Sequence, residues 1–89
     1  GLSKNAMQNY LLTKPLDLGR EAERLTAKMN DLTDKLAVIK AKNYSVNYQK
    51  ILQSRINNII IKKQEIAVEY ARLEHMSKQF GLTISNLSV

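Results

Sequence analysis

Between Lys40 and Lys50 the chain reads KAKNYSVNYQK. The fold turns on whether a helix runs through these residues or breaks within them. Upstream, Leu18, Ala22, Leu25, Met29, Leu32, Leu36 and Ile39 are spaced four, three, four, three, four and three. Side chains three and four apart share one helix face, and this alternation, held for about three heptads, is the apolar seam of a packed helix. The seam next requires an apolar residue at position 43, where the chain has Asn43. Asparagine accepts the left-handed conformation that ends a helix, and Ser45 is a good N-cap for a new one.

Downstream, Leu52, Ile56, Ile59, Ile66, Tyr70, Leu73 and Phe80 resume the same register, with Lys63 and Ser77 as polar breaks. The pattern predicts an all-α antiparallel two-helix hairpin over residues 17–80, with its turn near 43–45. The two helices would be about 39 and 52 Å long, close enough to lie side by side. The rival is a single rod from Asp17 to Phe80, about 96 Å long. It is helped by the absence of glycine and proline between residues 20 and 80. The turn chemistry at Asn43 and Ser45 favours the hairpin.

Ile51, Ile60, Ala67 and Met76 widen the apolar stripe of the second helix beyond what one neighbour covers. A lone hairpin also has a thin core to set against a backbone entropy cost of about 1–2 kcal/mol per ordered residue. Both features predict dimerisation into a four-helix bundle or coiled-coil assembly. The expected protein interface is Ile56, Ile59, Ile60, Ile66, Tyr70 and Leu73. The expected partner is a second copy or another helical protein.

Outside the hairpin the pattern is weaker. Pro15 biases Lys14 toward an extended backbone, and Asp17 can cap the helix that follows. Residues 1–16 therefore read as a flexible or loosely docked segment. Residues 1–6 are expected to be an expression remnant, with Met7 as the natural start. Gly81 is a C-cap residue, and residues 81–89, GLTISNLSV, read as a loosely docked apolar strap. Four charge pairs fit the helical spacing: Glu21 with Arg24, Asp31 with Lys35, Glu69 with Arg72, and Glu74 with Lys78. Each is worth a few tenths of a kcal/mol.

The chain has 89 residues, no cysteine and a formal charge of +6. The charge is uneven. Lys35, Lys40, Lys42, Lys50, Arg55, Lys62 and Lys63 occupy a stretch without acids, whereas Asp17–Asp34 carries five acids against three bases. In a hairpin, Lys40, Lys42 and Lys50 gather at the tip with Tyr44 and Tyr48, and Arg55 follows on the second helix. Lysines neutralise phosphates and tyrosines stack on exposed bases. The second functional expectation is therefore a nucleic-acid-binding dimer using this tip. The first is an assembly module: an adaptor, small chaperone or structural subunit.

Chemistry is poorly provided for. His75 is the single histidine, and a metal site needs three or four converging ligands. Asp31 with Asp34 and Glu65 with Glu69 are close on their helices, but nothing predicts an apolar pocket around either pair to shift a carboxyl group toward acid–base work. The three glycines form no phosphate loop. The expectation is a protein that is not an enzyme, with no cofactor, metal or small-molecule substrate. Membrane attachment is not expected, because the apolar stripe is committed to helix packing. No apolar run reaches membrane-spanning length, and the chain lacks a sustained apolar signal core at its start. With the absence of disulfide chemistry, these features lead to a cytoplasmic expectation.

Overall fold

Ser3 and Ser45 each open a helix, and they do so by the same bond. The Ser3 Oγ accepts from the Ala6 N–H at 3.1 Å, and the Ser45 Oγ accepts from the Tyr48 N–H at 3.4 Å. Each hydroxyl satisfies one of the amides that a helix start leaves without a partner. In the computed structural model, which describes residues 3–82 and 84, helix α1 then runs over Lys4–Ala41 and helix α2 over Val46–Gln79.

Both helices also end alike. Asn43 adopts a φ of 57° and Gly81 a φ of 68°. At the first stop, Tyr44 N–H donates to the Ile39 carbonyl at 3.1 Å and Asn43 N–H to the Lys40 carbonyl at 3.2 Å. At the second, Leu82 N–H donates to Ser77 O at 3.0 Å and Gly81 N–H to Lys78 O at 3.1 Å. This is the Schellman arrangement, in which one left-handed residue satisfies two terminal carbonyls. Gln49 Nε2 donates to Tyr44 O at 2.9 Å and closes the turn. The molecule is thus an all-α antiparallel hairpin of 57 × 21 × 16 Å, and the single-rod alternative is set aside. Thirty-eight residues at the standard rise span about 57 Å, so α1 alone accounts for the long axis.

The hairpin differs from expectation at its open end. Helix α1 begins at Lys4, not Asp17, and runs through Pro15. The reason is that the seam continues upstream: Leu11 and Pro15 extend the four–three spacing into Leu18, and Met7 lies one turn before Leu11. Pro15 denies the Leu11 carbonyl its helical donor, a cost of about 3 kcal/mol in a helix interior. Against that cost, Leu11 is 0% exposed and Pro15 is buried, while Met7 is half-buried. The longer α1 also lies beside the surplus length of α2.

One apolar seam forms the core. It is built from Leu11, Leu18, Leu25, Leu32 and Leu36 of α1 with Leu52, Ile56, Ile59, Ile66 and Leu73 of α2, among others. Its polar positions are accommodated without breaking it. Ser77 is buried, and its Oγ donates back to Glu74 O at 2.8 Å. Lys63 is half-buried and lies beside Met29 and Ile60, its aliphatic stem serving as seam. Leu82 and Ile84 are partly buried against the core. They are the described portion of the expected strap, and position 83 and positions 85–89 lie outside the described residues.

The early start of α1 can be tested directly. Leu11→Ala should lower stability by about 2–4 kcal/mol through lost burial and a residual cavity. The adjacent Leu12→Ala, at a position 51% exposed, should change it by less than about 0.5 kcal/mol. Urea unfolding followed by far-ultraviolet circular dichroism measures both. Two neutral substitutions would mean that residues 4–16 are not docked.

Candidate interaction surfaces

A seam between two antiparallel helices leaves two flanks, and each flank takes residues from both helices at seven-residue intervals. On one side lie Glu21, Lys28 and Lys35 of α1 with Tyr48, Arg55, Lys62 and Glu69 of α2. On the other lie Gly19, Thr26 and Thr33 with Gln53, Ile60 and Ala67. Over these positions the first set is charged and the second is not; the next positions of the second series, Lys40 and Glu74, are ionic.

On the charged flank, Lys28 reaches across the seam to share a groove with Arg55 and Lys62. Leu32, Asn58 and Ile59 complete its lining. The next groove toward the chain ends is edged by Glu21, Glu65 and Glu69, with Lys62 between the two. All four ion pairs expected from spacing form: Arg24–Glu21 at 2.7 Å, Lys35–Asp31 at 3.2 Å, Arg72–Glu69 at 2.6 Å and Lys78–Glu74 at 3.9 Å. Lys28, Arg55 and Lys62 take part in none of the ion pairs among the described residues.

The Glu21 carboxyl is held below the usual carboxylate range, chiefly by the hydrogen bond from Arg24. Slight desolvation opposes this shift, and the charges of Arg24 and Lys62 add to it. A lowered value stabilises the fold above pH 4.5 and loses that contribution as pH falls. The pair is exposed, so the effect is small. The Lys62 contribution crosses from α2 to α1 and is one electrostatic element of the hairpin register.

On the uncharged flank, Met29, Ile60, Lys63, Gln64 and Ala67 surround a shallow, mainly apolar recess. Its polar neighbours are satisfied within the chain. Thr33 Oγ1 donates to Met29 O at 2.8 Å, and Gln53 Nε2 donates to Asn57 Oδ1 at 3.0 Å. Ile60 is 41% exposed here. Leu12 and Leu16 stand exposed on the same side of α1, and Ile61 and Val68 on the adjoining outer face of α2.

The residues expected at a protein interface divide sharply. Ile56, Ile59, Ile66, Tyr70 and Leu73 are buried in the seam against α1. Of the six, only Ile60 is available on the surface. The residues expected to contact nucleic acid separate along the molecule. Lys40, Lys42, Tyr44, Tyr48 and Lys50 are all exposed at or beside the turn, but Arg55 belongs to the groove with Lys28. Lys28 was not among the expected site residues, because it sits in the acid-rich part of the sequence. The signal for it was the antiparallel register, which sets each flanking position of α1 opposite its counterpart in α2.

His75 is exposed. No group of three His, Cys, Asp or Glu side chains converges as metal ligands among the described residues. No described helix is long and apolar enough to cross a membrane. No family model, no curated protein and no solved structure matches the chain. The geometry itself defines the class: an elongated two-helix hairpin, consistent with a structural or interaction module.

Among the described residues, Tyr70 is the one buried titratable group of the seam. Its hydroxyl has no hydrogen-bond partner among the described residues. The phenol is pushed above its ordinary value of 10.0, first by burial and then by the Glu74 carboxylate. A raised value means the contribution is intact below about pH 10 and disappears as pH climbs through the folded-state value. Tyr70→Phe should therefore leave stability at neutral pH unchanged or raise it by up to about 1 kcal/mol, since an unsatisfied buried hydroxyl is removed. In denaturation above pH 10, the wild type should lose more stability than the variant. Equal alkaline losses would place the phenol in contact with water.

Proposed function

We propose that the hairpin is an assembly module that pairs with a second copy of itself through the uncharged flank, forming a four-helix bundle. The observation that carries this reading is the segregation of charge. On the uncharged side of α2, Gln53, Asn57, Ile60, Gln64, Ala67 and Ala71 follow one another without an ionic side chain. Glu23 is the lone charge on the matching face of α1 between Leu12 and Ala37. The opposite flank carries Lys28, Arg55, Lys62, Glu65 and Glu69.

Apart from Lys63, whose stem lies in the seam at the edge of the recess, such a face can meet its own copy across a two-fold axis with few like charges brought together. Such an interface is self-complementary by construction. The whole face, 57 by 21 Å, projects about 1,200 Å², against about 800 Å² that a stable interface takes from each partner; the ion-free run of α2 from Gln53 to Ala71 supplies about 27 Å of its length, so the interface would extend past that run. Ile60, the half-buried Met29, and Leu16 supply apolar contact. The internally bonded Thr33 and Gln53 limit the desolvation that burial would cost.

Sedimentation equilibrium at tens of micromolar should give about twice the chain mass of 10.2 kDa. Ile60→Glu should return the protein to a single-chain mass while its helical circular dichroism persists. Lys28→Glu, on the other flank, should leave the dimer intact. A wild-type chain that is folded and solitary at these concentrations would remove self-pairing and leave a different helical protein as the occupant of the face.

A further inference from the structure

We infer that the charged flank holds a binding track for the phosphate backbone of single-stranded nucleic acid, centred on Lys28, Arg55 and Lys62 rather than on the hairpin tip. The three cations come from two helices and meet around one groove whose lining contains no acid. Lys28 belongs to the acid-rich part of the sequence, and only folding sets it against Arg55 and Lys62. Gathering like charges opposes folding. Elsewhere on this flank the chain avoids that opposition, since Arg24, Lys35 and Arg72 are each bonded to an acid one turn away. None of the groove cations is bonded in this way; Lys62 shares its field with Glu21 across the seam, and Lys28 and Arg55 leave their charge for an anion from outside.

Position along the molecule selects the kind of anion. Toward the turn, the same flank continues through Lys35, which shares a recess with Asp34, Val38, Ile39 and Tyr48, and reaches Lys42 at the end of α1. From Lys28 to Lys42 is about 21 Å at the helical rise. Lys35 is itself bonded to Asp31, so the unpaired cations along this line, among the described residues, are those of the groove and Lys42; a single phosphate would use only the groove, whereas cations spread over this length suit successive phosphates. In the other direction Glu21, Glu65 and Glu69 close the track just beyond Lys62.

Tyr48 sits on the track and is 45% exposed. A tyrosine stacks on an unpaired base and is sequence-tolerant in doing so. It has no base face to stack on in a duplex, nor in an acidic peptide. Arg55 supplies a fork for phosphate oxygens, with Lys28 and Lys62 as point charges beside it. The track lies on the flank opposite the proposed pairing face and does not depend on that pairing.

The test is fluorescence anisotropy with a labelled oligothymidylate and the full chain. Three phosphate contacts on a single strand predict that log affinity falls with log salt with a slope of about −2. Replacing Lys28, Arg55 and Lys62 together by Gln should weaken binding at least about tenfold and flatten that slope. Replacing Lys40, Lys50 and Lys78 together by Gln removes the same net charge from outside the track and should weaken it by less than about threefold. Ile60→Glu should bind as the wild type does. Equal losses from the two triple variants, or no binding at low salt, would overturn the assignment. So would tighter binding to a duplex, or competition by polyglutamate as effective as that by unlabelled strand. Circular dichroism of each variant confirms that its helices are retained.

Discussion

A single apolar seam closed in one antiparallel register is the interaction on which everything else in this molecule depends. Each helix repeats an apolar residue every three or four positions, and neither has a second stripe of comparable continuity. The turn makes the register unambiguous. Asn43 in the left-handed conformation and Ser45 as N-cap leave only a few residues between α1 and α2, so the helices have little freedom to slide. A hairpin with a loose connection could shift by a turn and still bury leucine against isoleucine. Here a slip would break two Schellman bonds and uncover seam residues at both ends.

The register also decides where charge goes. Seven-residue spacing carries each flanking position of one helix along a line parallel to the seam, and antiparallel pairing joins like flank to like. Whatever bias exists between the two sides of each helix is therefore reinforced, not averaged. The outcome is one flank with ionic side chains from both helices and one whose middle, from Gln53 to Ala71 on α2, has few of them. Ion pairs within a helix, such as Arg24–Glu21 and Arg72–Glu69, trim this polarity without erasing it. They are exposed and individually weak, so their effect is to set the local sign of the field more than to hold the fold.

Much of this was legible in the residues alone. The spacing from Leu18 to Ile39, the break at Asn43 and Ser45, and the resumption at Leu52 define the hairpin, because helix periodicity and turn chemistry agree there. The start of α1 was not legible, because Pro15 is a local signal against helix and Leu11 a tertiary signal for it. Only the presence of α2 beside residues 4–16 decides between them. The surface was harder still. Ile59 and Ile60 are equally apolar in sequence, yet one is core and the other exposed, a difference set by which side of the stripe meets α1. Lys28 looked like one base among acids, and its neighbours across the seam exist only in the folded chain.

The thinness of the seam gives the exposed apolar residues their meaning. Ordering a residue costs about 1–2 kcal/mol of backbone entropy, and here long helices share one row of contacts between them. A core that narrow makes every buried position matter, which is why a buried Tyr70 hydroxyl without a partner is conspicuous. The same chain leaves Ile60, Ile61 and Val68 in water, although they could have been polar at no cost to the seam. Burying any part of that surface against a copy would add to the folding free energy and make stability depend on concentration. On that argument the proposed pairing would make folding and association one property of this hairpin, with the neutral flank adding to a core that two helices begin.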